Sequence, residues 1–126
     1  MGDFVNWPSW PIYKATHIHG LHDVTVHQGD KFTLKLHMRF KVHARERSAC
    51  IDSDALNLNI YDSNGVEASS YNALPQMWVN KVKVDTSNLK PGTYNMTAHF
   101  SGEYDSRFRI YEPCSKSATL TVLPKN

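Results

Sequence analysis

Cysteine is scarce: the 126 residues hold two, Cys50 and Cys114. Neither belongs to a C-x-x-C unit, which excludes the ligand spacing of zinc ribbons and thioredoxin-like redox sites. Long apolar runs are missing too, and no stretch approaches the ~20 consecutive apolar residues that span a bilayer as a helix. Charge of one sign is not in excess, since 14 Lys and Arg stand against 12 Asp and Glu for a formal net charge of +2. With no recognised binding motif beside it, that balance disfavours nucleic acid as a partner. Catalytic signatures are absent as a group: there is no G-x-S-x-G elbow, no P-loop and no H-E-x-x-H. Glu103 and Asp105 fall in one loop, where carboxylates are ordinarily just solvated. The expectation is a protein that is not an enzyme and needs no cofactor. Residues 1–6 show neither the basic nor the apolar region of a signal peptide, and a mature secreted domain would read the same way.

What the chain does have is alternation. Between residues 31 and 43 every even position is apolar (Phe32, Leu34, Leu36, Met38, Phe40, Val42), and every odd one is Thr33 or a Lys, Arg or His. Successive side chains of a strand point to opposite faces, so this is one long strand with a buried face and a cationic one. Six further segments carry strand signals: 21–27, 56–60, 66–71, 77–85, 93–100 and 116–123. Asn64-Gly65 supplies the positive φ of a hairpin turn, and Asn88-Leu89-Lys90-Pro91-Gly92 turns the chain before residue 93. Seven strands with regular turn signals and no convincing helix predict an all-β, seven-stranded antiparallel sandwich over residues 21–126. The first twenty residues differ, because Trp7-Pro8-Ser9-Trp10-Pro11 cannot be a regular element. They predict an extended N-terminal arm. At this length folding buries roughly two-thirds of the unfolded surface, enough for a core without metals.

Residues Val82 to Tyr94, with the stretch Ser117-Ala118-Thr119-Leu120-Thr121-Val122, resemble bacterial immunoglobulin-like and fibronectin-III-like domains. Those families commonly show a Leu-x-Pro-Gly-Thr-Tyr corner and close on alternating Thr and apolar residues. The resemblance covers mainly residues 80–123, and the antibody-type Cys…Trp…Cys spacing is absent. It implies an immunoglobulin-like sandwich in an extracellular or cell-surface setting, with Tyr94 as the tyrosine corner. It implies no catalytic residues. In such a topology the loops holding Cys50 and Cys114 lie at the same pole, which implies a Cys50–Cys114 disulfide and an oxidising compartment.

The same pole would gather aromatic and arginine side chains: Trp7, Trp10, His43, Arg45, Arg47, Trp78, Tyr104, Arg107 and Arg109. Binding sites concentrate on loops at one end of a scaffold, and Trp, Tyr and Arg are the residues that carry binding energy. These residues are the expected site for a carbohydrate or peptide ligand, acidic if the arginines engage it. They would equally serve to seal the open end of the sandwich. The cationic strand face (Lys31, Lys35, His37, Arg39, Lys41) would extend to Lys81 and Lys83 if their strands share a sheet. Such a face suits an acidic polysaccharide, a phospholipid surface or an acidic partner, and it also deters edge-to-edge pairing.

His17 and His19 fall on one face of an extended segment and are the candidate metal ligands. Asp52, Asp54, Asp62 and Asn64 lack EF-hand spacing. Asn95-Met96-Thr97 fits a glycosylation acceptor. The leading expectation is therefore a binding or adhesion module. A structural spacer or assembly subunit and a histidine-based metal-binding accessory protein are the alternatives. Oligomeric state is not legible in the sequence.

Overall fold

The structure is a computed structural model and describes residues 12–42, 45–49, 55–76, 78–105 and 109–126. It is all-β, with strands β1 (Ile12–Lys14), β2 (Thr16–His19), β3 (Val24–His27), β4 (Lys31–Val42), β5 (Arg45–Ala49), β6 (Leu56–Tyr61) and β7 (Glu67–Asn72). The second half of the chain adds β8 (Leu74–Gln76), β9 (Val79–Asp85), β10 (Gly92–Phe100), β11 (Glu103–Asp105), β12 (Arg109–Tyr111) and β13 (Cys114–Leu123). One sheet runs β2-β4-β9-β8 with β5 also on β4, a second runs β3-β13-β10-β6-β7, and a small third joins β1-β12-β11.

The seven expected strands are all present, but more strands exist than seven. Thr16–His19, within the stretch expected as an extended arm, pairs antiparallel with β4 from Thr16↔Phe40 to His19↔His37. Ile12–Lys14 pairs parallel with Arg109–Tyr111, so the arm is tied to the loop before the last strand. These are three- and four-residue strands, too short to show a period of two. Pro75 sits in β8, the outermost strand of its sheet, where a missing N–H removes no ladder bond from a neighbour beyond it.

The alternation in β4 does what it predicts. Leu34, Leu36, Met38 and Phe40 are buried, and they pack against Leu56, Leu58 and Ile60 of β6, Met96 and Phe100 of β10 and Leu120 of β13 in one core. Phe40 meets Tyr111 with ring centroids 5.1 Å apart, closing the core at the end where β4 finishes.

Two local devices hold the topology. Between β2 and β3 the chain crosses from the edge of one sheet to the edge of the other, turning at Gly20 with φ near +99°. A Cβ there would collide with the carbonyl oxygen of Lys35, so the crossing requires glycine on two grounds. At the other end the Tyr94 hydroxyl donates to the Lys90 carbonyl at 2.6 Å. This is the expected tyrosine corner: a buried ring at the start of a strand, bonded back to the turn that precedes it. With β3 parallel to β13 and every other pairing in the two large sheets antiparallel, the arrangement is an immunoglobulin-like sandwich.

Candidate functional site

The outward side chains of β4 and β9 lie on one sheet, as the cationic-face expectation requires. The register sets Lys31 opposite Asp85, Thr33 opposite Lys83 and Lys35 opposite Lys81. Directly opposed residues point to the same side of a sheet. Since Val82 and Val84 are buried beneath, Lys81 and Lys83 face outward with Lys35. On the far edge of β4, His19 stands opposite His37 and His17 opposite Arg39. The face therefore carries Lys35, Lys81 and Lys83 beside His17, His19, His37 and Arg39, with one carboxylate opposite Lys31 and another opposite Lys41.

Those carboxylates are Asp85 and Glu46. Ser87 holds Asp85, its hydroxyl donating at 2.6 Å and its backbone N–H at 2.9 Å to Oδ1. These bonds, the side-chain one first, keep the Asp85 carboxyl below its ordinary value of 3.8, with nearby Lys31 adding to the effect. Glu46 arrives on β5, where it stands opposite Lys41. Its Oε1 lies 3.5 Å from His19 Nε2 and 4.0 Å from an Arg39 terminal nitrogen. Sequence reasoning missed both carboxylates. Glu46 lay in an apparent loop, and a single acid among Arg45 and Arg47 gives no signal of its own.

The opposite outer face is different in kind. Outward positions of β10 and β13 pair as Thr93↔Thr121, Asn95↔Thr119, Thr97↔Ser117 and His99↔Ser115. On β6 they are Asn57, Asn59 and Tyr61. Their hydroxyls and amides bond one another: Thr97 donates to Asn95 Oδ1 at 2.7 Å, and Ser70 donates to Asn59 Oδ1 at 2.8 Å. No lysine or arginine occupies a described outward position of that sheet. Among the described outward positions of the two large sheets, lysine and arginine therefore occur on the β4 and β9 side.

Of the residues expected to form a binding pole, Trp7, Trp10, His43 and Arg107 lie outside the described residues. Tyr104 and Arg109 are placed by their backbone on the paired strands β11 and β12, Tyr104 opposite Ile110 and Arg109 opposite Asp105. Arg45 and Arg47 are exposed, but on strand β5 rather than in a loop. Trp78, 52% exposed, stands immediately before β9.

The expected Cys50–Cys114 disulfide finds no support among the described residues. Cys114 is a free thiol at the start of β13, and Cys50 lies outside the described residues. The sulfur turns toward β2, where the Thr16 hydroxyl donates to the Glu112 carbonyl at 2.6 Å and approaches Cys114 Sγ at 3.2 Å. An open cleft of about 350 Å³ follows this seam between the sheets, lined by Thr16, His17, His19, Glu46, Cys114 and Lys116 among others. His17 and His19 share a face, as expected of candidate ligands. Among the described residues, however, no three His, Cys, Asp or Glu side chains group as a metal site would need.

No protein-family model matches the chain, and no curated protein matches its sequence. Solved structures do resemble it. CopC from Methylosinus trichosporium OB3b superposes with a TM-score of 0.53 at 18% identity, over 90% of this chain and 96% of that one. A chain of the titin M10–obscurin-like 1 Ig complex superposes with a TM-score of 0.46 at 11% identity, over 90% and 98%. At 18% identity the likeness to CopC shows a shared sandwich fold across nearly the whole length of both chains.

Proposed function

We propose that this protein is a non-enzymatic binding module whose working surface is the cationic outer face of β2, β4 and β9, and whose partner is acidic. The observation that carries the reading is the segregation of charge. Lys35, Lys81 and Lys83 gather on one face, where Asp85 and Glu46 are the acids. The other face presents mostly hydroxyls and amides, with Glu67 opposite Tyr61 on its edge strand and no lysine or arginine at a described outward position. Strand residues two apart are about 6.6–6.8 Å from one another and neighbouring strands about 4.8 Å apart, so the cations form a regularly spaced grid. A ligand with regularly spaced negative groups meets several of them at once, and association is steered by the summed field. No Phe, Tyr or Trp occupies an outward position of these strands, so the large-ring stacking platform of single-stranded nucleic-acid binders is not part of the face. An extracellular or cell-surface setting belongs to the same reading, drawn from the resemblance to surface-displayed immunoglobulin-like modules.

The test is retention of the whole protein on dextran sulfate with uncharged dextran as the control. Retention on the first alone, falling as salt is raised, supports the reading. Equal behaviour on both overturns it.

A further inference from the structure

The cationic face has an apolar margin. Leu74 of β8 stands directly opposite Lys81, which stands opposite Lys35, so one rung across three strands carries a leucine and two ammonium groups on the same side. Leu74 is 56% exposed and Trp78, at the turn joining β8 to β9, is 52% exposed. The other large apolar side chains exposed among the described residues are Tyr13, Val66 and Leu123, and none of them shares this hairpin. Single exposed apolar residues are ordinary on any surface. Two on one short hairpin, beside a run of lysines, are a feature with a direction.

We infer that the acidic partner of this face is an anionic phospholipid surface, entered by the β8–β9 hairpin through Trp78 and Leu74. The inference rests on the reading of the cationic face as the binding surface. A polyanionic polymer would satisfy the lysines and leave Leu74 in water. A bilayer surface satisfies both. Indole rings favour the membrane–water interface, where an apolar body and a polar N–H are each accommodated. Lysine stems lie along apolar surface while their ammonium groups reach the headgroups. Basic clusters are attracted to leaflets rich in acidic lipid, and an apolar anchor combined with such a cluster binds where either alone is marginal.

The experiment is co-sedimentation of the whole protein with phosphatidylcholine vesicles, with and without phosphatidylserine, alongside retention on dextran sulfate. Wild-type protein should sediment with the phosphatidylserine vesicles and not with the neutral ones. Trp78→Ala and Leu74→Ser should each weaken that partitioning by roughly tenfold while leaving dextran sulfate retention unchanged, because the apolar anchor is removed and the cations are kept. Both positions are exposed, so both variants should fold, which circular dichroism checks. Retention on dextran sulfate without preference for anionic vesicles would overturn the lipid surface and leave the cationic-face reading standing. Loss of dextran sulfate retention in the two variants would also overturn the separate anchor. Binding to neither material would overturn both.

Discussion

Lys35 of β4 stands directly opposite Lys81 of β9 on the outer face of their sheet. Like charges in that position destabilise a sheet by roughly 0.2–1 kcal/mol. The arrangement is unfavourable for the isolated protein and becomes favourable when an anion sits between the two ammonium groups. Lys81→Glu should therefore raise unfolding free energy by about 0.5–1 kcal/mol, read from the midpoint of urea denaturation. The same variant should bind acidic partners more weakly. Greater stability with poorer binding is the signature of a repulsion kept on a binding face; a neutral or destabilising Lys81→Glu would argue that the two side chains already diverge.

Gly20 is where the chain passes from one sheet to the other. Its φ near +99° disfavours any side chain, and a Cβ would meet the Lys35 carbonyl oxygen. Gly20→Ala should destabilise by about 2 kcal/mol or more, the strain and the displaced backbone adding together. Thermal unfolding of the pair measures it. Because Lys35 carries the displaced carbonyl, weakened anion binding should accompany the loss.

Tyr94 offers a milder test of the corner. Tyr94→Phe keeps the ring in the core and removes the 2.6 Å bond to the Lys90 carbonyl. The expected loss is about 1 kcal/mol, within the net range for one hydrogen bond. A loss near zero in urea denaturation would mean the packed ring alone holds the turn.

Asp85 gives the acid-range prediction. Bonds from Ser87 hold its native carboxyl below the ordinary 3.8, so the stabilising contribution is fully present above that value. It is lost as pH falls through the lowered native value, since protonation then favours the folded and unfolded states alike. Ser87→Ala should leave a stability gap to wild type that is constant at neutral pH and closes below pH 3.8. A gap independent of pH down to the acid limit would assign the effect of Ser87 to something other than Asp85.

Much of this fold was legible because its longest elements are amphipathic. The alternation through residues 31–43 gave β4, and Leu89 to Tyr94 gave the corner whose bond the structure contains. The sequence left open whether Lys35 and Lys81 share a sheet, since which strands pair across a sandwich is not marked locally, and the β4–β9 register resolves it. What escaped was whatever depends on an edge left free elsewhere. β9 pairs with β4 only as far as Leu36, and β5 occupies the remaining edge from Met38 onward. Arg45-Glu46-Arg47 has no apolar alternation, so nothing local marks it as a strand. Its pairing is dictated by the edge it covers. The same holds for β1, which is defined by its pairing with β12. The free thiol of Cys114 was misjudged for a related reason: a shared pole brings loops near each other, but the sulfur instead faces Thr16 across the seam between the sheets.

The central claim is that the cationic face binds an acidic partner, and the salt dependence of dextran sulfate binding tests it most directly. Affinity measured by calorimetry for wild-type protein should fall linearly on logarithmic axes as salt rises, because each cation engaged releases condensed counterions. In a Lys35→Gln, Lys81→Gln, Lys83→Gln triple variant, checked for intact fold by circular dichroism, affinity at low salt should drop by at least about tenfold and the slope should shrink by about two to three. Unchanged affinity and slope in the triple variant would contradict the account and move the binding surface elsewhere on the sandwich.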